Sequence, residues 1–178
     1  MTFGPMDAEY IANWIDSRLR SAGIKAAKMG AVIVGAAGPR TRDIVQVARK
    51  CFDLTHSKGM ATSDDIKEAF NDIVEEEYDL LLSHWNSLTA HQQNVLRAVA
   101  AGIRGLTTLL TLKRFGLGTS GTAANTANTL VRGGYLIKND PYSHKRVTSP
   151  TGYEFDSPFF KSWVMKYTLA DIGLIPEN

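Results

Sequence analysis

The sequence predicts a mainly α protein: a helical bundle followed by a three-helix unit that closes with a small β-hairpin. Three observations predict it. From Ile11 to Val74 apolar residues recur at three- and four-residue steps, the spacing that lines one buried helix face. Beyond Leu88, three short helical patterns follow, the last two joined by a turn of small residues, Gly116-Leu117-Gly118-Thr119-Ser120-Gly121. After these, Tyr135 to Lys138 and Thr151 to Phe155 read as two strands around a polar loop.

In the first part, Ile11, Trp14, Ile15 and Leu19 predict the inward face of one helix, with Gly23 where a C-terminal cap belongs. A second helix is expected over Ile24 to Ala37, stopping at Gly38-Pro39. Proline is tolerated in a first turn because its missing N–H would have no partner inside the helix. Pro39 to Ser57 therefore reads as a third helix, with Ile44, Val47, Ala48 and Cys51 inward and Gly59 closing it. Thr62 or Ser63 caps a fourth, whose first turn carries Asp64 and Asp65 at the positive end of the dipole. Its apolar face is Ile66, Phe70, Ile73 and Val74, and it is expected to run through Glu75-Glu76-Glu77 toward Trp85, the acidic run being a solvated face.

The second part starts near Leu88, which divides the chain into 1–87 and 88–178. Thr89 caps a helix through Val95, Leu96 and Val99; a second covers Thr107 to Phe115; a third covers Thr122 to Arg132. A tight turn between the last two makes a helix-turn-helix. Gly133-Gly134 ends the third helix, and the loop from Asn139 to Pro150 between the two strands holds Lys145 and Arg146. Three helices and then a hairpin is the order of a winged helix. Pro158 to Tyr167 reads as a last helix, packed by Phe159, Phe160, Trp163 and Val164.

Composition bounds the function. Apolar residues at 44% and charged residues at 21% of 178 are ordinary for a folded globular protein. No apolar run approaches the roughly 20 residues of a membrane span, and no basic-then-apolar leader opens the chain. A cytoplasmic protein with no membrane partner is expected. One cysteine, Cys51, excludes an internal disulfide and any multi-cysteine zinc site, and His56, His84, His91 and His144 have no ligand spacing, so no metal site is expected. The net charge of +2 is uneven. Residues 1–88 carry 10 Lys and Arg against 13 Asp and Glu, and residues 89–178 carry 10 against 5. The second half therefore tolerates an acidic partner such as nucleic acid.

Gly116, Gly118 and Gly121 match G-x-G-x-x-G, with Asp140 lying 19 residues beyond, as in a dinucleotide-binding fingerprint. That fingerprint needs a strand running into the first glycine and further parallel strands. Lys113-Arg114-Phe115 intervenes, the upstream chain reads as helix, and too little chain follows. Thr122 also stands where a phosphate-binding loop requires Lys. No catalytic activity is expected from this chain alone.

Gly38-Pro39-Arg40-Thr41-Arg42-Asp43-Ile44, opening a helix that ends at Lys58-Gly59, and then Ala61-Thr62-Ser63-Asp64-Asp65-Ile66 opening the next, resemble the helical lid of AAA+ ATPases. The branch is the bacterial and archaeal one related to replication initiators and branch-migration motors. Asp156-Ser157-Pro158-Phe159-Phe160-Lys161-Ser162-Trp163 is similar to the element closing the winged helix that follows such lids, and the resemblance covers nearly the whole chain. It implies that Arg40, or Arg42 as second candidate, is a sensor arginine facing nucleotide on a neighbouring core. A guanidinium there stabilises charge that builds on the terminal phosphates. The alternative for either arginine is a surface side chain paired with Asp43 or Asp7. The Walker motifs are absent, so the AAA+ core would be supplied in cis or in trans. ATP and Mg would belong to the full-length parent, with no cofactor held by this chain.

Two partners for the winged helix follow from these residues. One is double-stranded DNA, read by Thr122, Asn125, Thr126 and Asn128, with Arg132 near phosphate and Lys145 and Arg146 reaching the backbone from the wing. The other is a protein partner docking on the winged helix as a regulatory module. A stand-alone DNA-binding regulator is the remaining alternative.

Overall fold

The computed structural model describes residues 7–26, 28–38, 40–138 and 150–169. Within them lie nine helices and one two-stranded antiparallel sheet. The protein is mainly α, a helical bundle and a winged helix-turn-helix with a small hairpin, and the chain divides into two compact units, Met1–Glu77 and Tyr78–Asn178.

The first unit holds α1 (Ala8–Ser21), α2 (Met29–Ala37), α3 (Thr41–Thr55) and α4 (Ser63–Glu76). Asp7 caps α1 by accepting from the Glu9 N–H, and the helix buries Ile11, Ala12, Ile15 and Leu19. Trp14 is not on that face. It stands 44% exposed, with the Arg18 guanidinium 5.4 Å over its ring, because one residue step turns a helix by about 100° away from Ile15. Ala12 takes the inward place, where α2 crosses most closely: a Cβ on Gly30 would lie 1.9 Å from the Ala12 carbonyl oxygen.

The second helix begins at Met29 rather than Ile24. The Lys25 N–H donates to the Gly59 carbonyl at 2.9 Å and the Ala61 N–H donates to the Lys25 carbonyl at 3.0 Å. This bridge to the α3–α4 connection commits the backbone before α2 to an extended path. Lys28, left-handed at φ 57°, offers no side-chain cap. The cap comes from α1 instead, where Asp16 Oδ1 accepts from the Gly30 N–H at 2.8 Å.

α3 buries Ile44, Val47, Cys51 and Thr55, and the Thr55 hydroxyl donates to the Cys51 carbonyl at 2.7 Å. Thr62 caps α4 in a reciprocal box with Asp65. Asp65 also accepts from Lys58 Nζ at 2.9 Å. The Lys58 bond first, and the Thr62 hydroxyl and backbone donors after it, hold the Asp65 carboxyl down at about 2. A carboxyl depressed on folding stabilises above its unfolded value near 3.8, and the benefit is lost as pH falls toward the folded value. Asp65→Asn is therefore expected to cost about 1–2 kcal/mol at pH 7. Denaturant unfolding at pH 7 and at pH 2 checks it: the gap between variant and parent must shrink at the acid end.

α4 does not run on to Trp85. It ends at Glu76, the Glu77 N–H donates to the Ile73 carbonyl, and a separate helix begins at Tyr78. The acidic run is the solvated face its composition suggests at Glu75 and Glu76, which are exposed, while Glu77 is half-buried and accepts from Gln46 Nε2 at 2.8 Å; Lys50 pairs with Glu76 from α3.

The second unit holds α5 (Tyr78–Asn86), α6 (Ala90–Ala100), α7 (Leu109–Phe115), α8 (Ser120–Arg132), β1 (Leu136–Lys138), β2 (Tyr153–Phe155) and α9 (Pro158–Thr168). Each of α6, α7, α8 and α9 starts at a hydroxyl cap: Thr89, Thr108, Thr119 and Ser157. The hairpin pairs Leu136 with Phe155 and Lys138 with Tyr153. Trp163 of α9 centres the core, 2% exposed, among the rings of Tyr78, Trp85, Phe160 and Tyr167 at centroid distances of 5.6 to 6.2 Å.

The glycine-rich turn has a plain structural use. Gly116 is the left-handed C-cap of α7 at φ 63°, and Gly118 turns the chain at φ 68° so that Thr119 can cap α8, conformations that favour glycine. A helix, not a strand, leads into it, and Asp140 lies outside the described residues. No described helix is long and apolar enough to cross a membrane.

Candidate functional site

α8 shows how its sequence divides the helix into two faces. Small and apolar Ala123, Ala127 and Leu130 are buried, which brings the helix close against α6. Thr122, Asn125, Asn128, Thr129 and Arg132 recur at three- and four-residue steps and are exposed, so they form one continuous polar stripe. Its hydroxyls are largely used within the helix. The Thr119 and Thr122 hydroxyls bond at 2.9 Å, Thr129 Oγ1 donates to the Asn125 carbonyl at 3.0 Å, and an Arg132 guanidinium nitrogen donates to Thr129 Oγ1 at 3.3 Å. The Asn125 and Asn128 carboxamides stand outward, and a carboxamide carries both donors and an acceptor, the set that reads a base edge.

Thr126 stands apart from this stripe. It is half-buried, and its hydroxyl bonds His91 Nδ1 at 2.9 Å while His91 Nε2 bonds the Leu117 carbonyl at 3.1 Å. A carbonyl only accepts, so Nε2 carries a proton there. His91 of α6 thus ties the turn to α8 and fixes the angle at which the stripe is presented. Lys145 and Arg146 lie outside the described residues. Of the sequence-predicted contacts, the structure brings Thr122, Asn125, Asn128 and Arg132 together on one face.

Charge along this part of the sequence is one-sided. Between Asp79 and Asp140 the chain has no Asp or Glu, and it has six Lys and Arg: Arg97, Arg104, Lys113, Arg114, Arg132 and Lys138. Arg97 is structural, its guanidinium 5.0 Å over the Trp85 ring and bonded to Asn94 Oδ1 at 3.0 Å. The other five are exposed. Counting charge by half-chains hid this acid-free span, because Asp140, Glu154 and Asp156 dilute it.

In the first unit, Arg40 is the N-cap residue of α3, extended at φ −86° and ψ 118°, half-buried, and makes no side-chain capping bond; Arg42 is exposed. One turn in, Asp43 is 5% exposed and its Oδ2 has no hydrogen-bond partner among the described residues. Burial pushes the Asp43 carboxyl above its usual range; Arg40 and then Arg42 pull it back, and Glu77 pushes it up. A buried carboxylate with an unbonded oxygen costs stability. Its compensation is the field of two arginines at the mouth of α3. Asp7, the other suggested partner, is instead the α1 cap. Among the described residues, no group of His, Cys, Asp and Glu could hold a metal ion. Comparisons with protein-family models, with curated proteins and with solved structures give no match.

Proposed function

We propose that this chain is the C-terminal part of an AAA+ type ATPase. In this reading α1 to α4 form the lid, Arg40, with Arg42 as the alternate, reaches nucleotide on a core supplied in cis or in trans, and the second unit binds double-stranded DNA through α8. ATP and Mg belong to that core. The observation that carries the DNA half is the acid-free, cation-bearing span from Leu80 to Asn139 around an outward carboxamide stripe. A phosphate backbone needs cations for affinity, and bases need neutral donors and acceptors for reading. The support for the lid half is the sequence Gly38-Pro39-Arg40 leading into α3, with Asp43 buried one turn in and the charge of Arg40 and Arg42 acting on its carboxyl.

A salt titration tests the DNA half. If Arg132, Lys145 and Arg146 each neutralise one phosphate, the log–log dependence of affinity on salt for a mixed-sequence duplex has a slope of about −3. A slope near zero removes DNA from the assignment. The lid half is tested in the coding sequence 5′ of Met1 and then in the encoded ATPase. Arg40→Ala should lower kcat for ATP hydrolysis by at least about tenfold, the scale of losing one guanidinium from a phosphoryl-transfer site. An unchanged kcat for both Arg40→Ala and Arg42→Ala sinks it.

A further inference from the structure

α7 exposes a face that is half apolar and half cationic. Leu109 and Leu110 are 68% and 77% exposed, the two most exposed large apolar side chains of the described residues. One turn on, Lys113 and Arg114 are exposed and form no ion pair among the described residues. Thr111, Leu112 and Phe115 hold the opposite side of the helix in the core. Isolated exposed leucines are ordinary, but two together beside two cations make a surface half apolar and half positive.

Phosphates would satisfy Lys113 and Arg114 and leave both leucines in water. A neutral apolar partner would cover the leucines and desolvate the cations. A partner bearing both carboxylates and aliphatic side chains at helical spacing satisfies the whole face, matching the cations by charge and the leucines by apolar contact. We propose that the α7 face, Leu109, Leu110, Lys113 and Arg114, is a docking site for an acidic amphipathic helix of a partner protein, separate from the α8 stripe. The leucines would enter between the partner's apolar residues at i, i+3, i+4 and i+7. The cations meet its flanking carboxylates, and α7 itself carries no acid, so none on that helix repels them.

The experiment uses the full chain and two fluorescein-labelled 18-residue helical peptides. Both have leucines at i, i+3, i+4 and i+7; one carries Glu at the flanking positions and the other Lys. Anisotropy is expected to show saturable binding of the Glu peptide, at least tenfold tighter than the Lys peptide. Leu109→Ser/Leu110→Ser should weaken the Glu peptide at least tenfold and leave affinity for a mixed-sequence duplex within twofold. Lys113→Glu/Arg114→Glu, with the leucines intact, should also lose the Glu peptide. Circular dichroism on each variant confirms the fold, which these exposed positions do not support. Equal binding of both peptides, or full binding of the Glu peptide by the serine variant, overturns the proposal. So does a parallel loss of duplex affinity in the serine variant, which would place the leucines in the DNA contact. The duplex titration is read separately, so failure here and failure of the DNA assignment are distinguishable.

Discussion

Gly30→Ala is expected to unfold the first unit or bring it close to unfolding. The hydrogen that glycine presents to α1 is replaced by a carbon built 1.9 Å from the Ala12 carbonyl oxygen, with the Ala12 carbonyl carbon at 2.7 Å and its Cα at 2.9 Å. All three atoms are backbone of a helix, so no side-chain rotation relieves the overlap; α1 and α2 must move apart. Separation also pulls the Gly30 N–H from Asp16 Oδ1, the bond that caps α2, and loosens the packing of α1 on α2. Overpacking usually costs about 1–3 kcal/mol and more where backbone must shift; with the lost charge-assisted cap added, about 4 kcal/mol is expected. A unit of this size has a stability on the order of 5 kcal/mol. Urea unfolding followed by circular dichroism should show an early transition for part of the signal. Gly35→Ala is the control: an exposed mid-helix glycine whose added Cβ meets nothing within 4 Å. It should stabilise by about 0.5–1 kcal/mol. If both substitutions behave alike, the close crossing of α1 and α2 is wrong.

The second large effect is expected at Trp163. The side chain is 2% exposed and touches the rings of Tyr78, Trp85, Phe160 and Tyr167, so Trp163→Ala leaves a large cavity lined by rigid aromatics that cannot collapse into it. A cost of about 3–5 kcal/mol is expected. Trp163→Phe should cost far less, about 1–2 kcal/mol. The reason is specific: the indole N–H has no hydrogen-bond partner among the described residues, so replacing the indole removes volume and an unsatisfied donor together. Thermal unfolding read by near-ultraviolet circular dichroism separates the two variants. A Phe variant as damaged as the Ala variant would mean that the nitrogen has a partner after all.

Much of the fold was legible because it rests on local chemistry. Thr62 with Asp65, Thr89 with Gln92, and Pro158 after Ser157 mark helix starts within four residues of chain, and such caps satisfy backbone donors whatever surrounds them. Gly116 and Gly118 mark a turn because left-handed backbone favours glycine. The order of three helices and a hairpin followed from these signals. Trp14 was misplaced because its spacing from Ile11 fits a helical face while its angle from Ile15 and Leu19 does not. The missed start of α2 depended on Gly59 and Ala61, more than thirty residues away from Ile24.

For the candidate site, residue type picked out Thr122, Asn125, Asn128 and Arg132. It also picked out Thr126, whose hydroxyl is committed to a histidine 35 residues earlier. The exposed pair Leu109-Leu110 gave no signal, since aliphatic residues in a short helix pattern read as core until the packing partners are known.

By itself the sequence determined most helix starts and turns, though not the start of α2 or the end of α4, together with the alternation of two strands around a loop and the acid-free stretch that gives the second unit its positive charge. These are properties of neighbouring residues and of summed charge. Only the tertiary structure decided that Asp16 caps α2, that His91 holds α8, that Asp43 lies buried beside Arg40 and Arg42, and that two leucines of α7 face water. Each of those depends on which surfaces meet across a chain folded back on itself, and contact over that distance is set by packing, which no short window of residues contains.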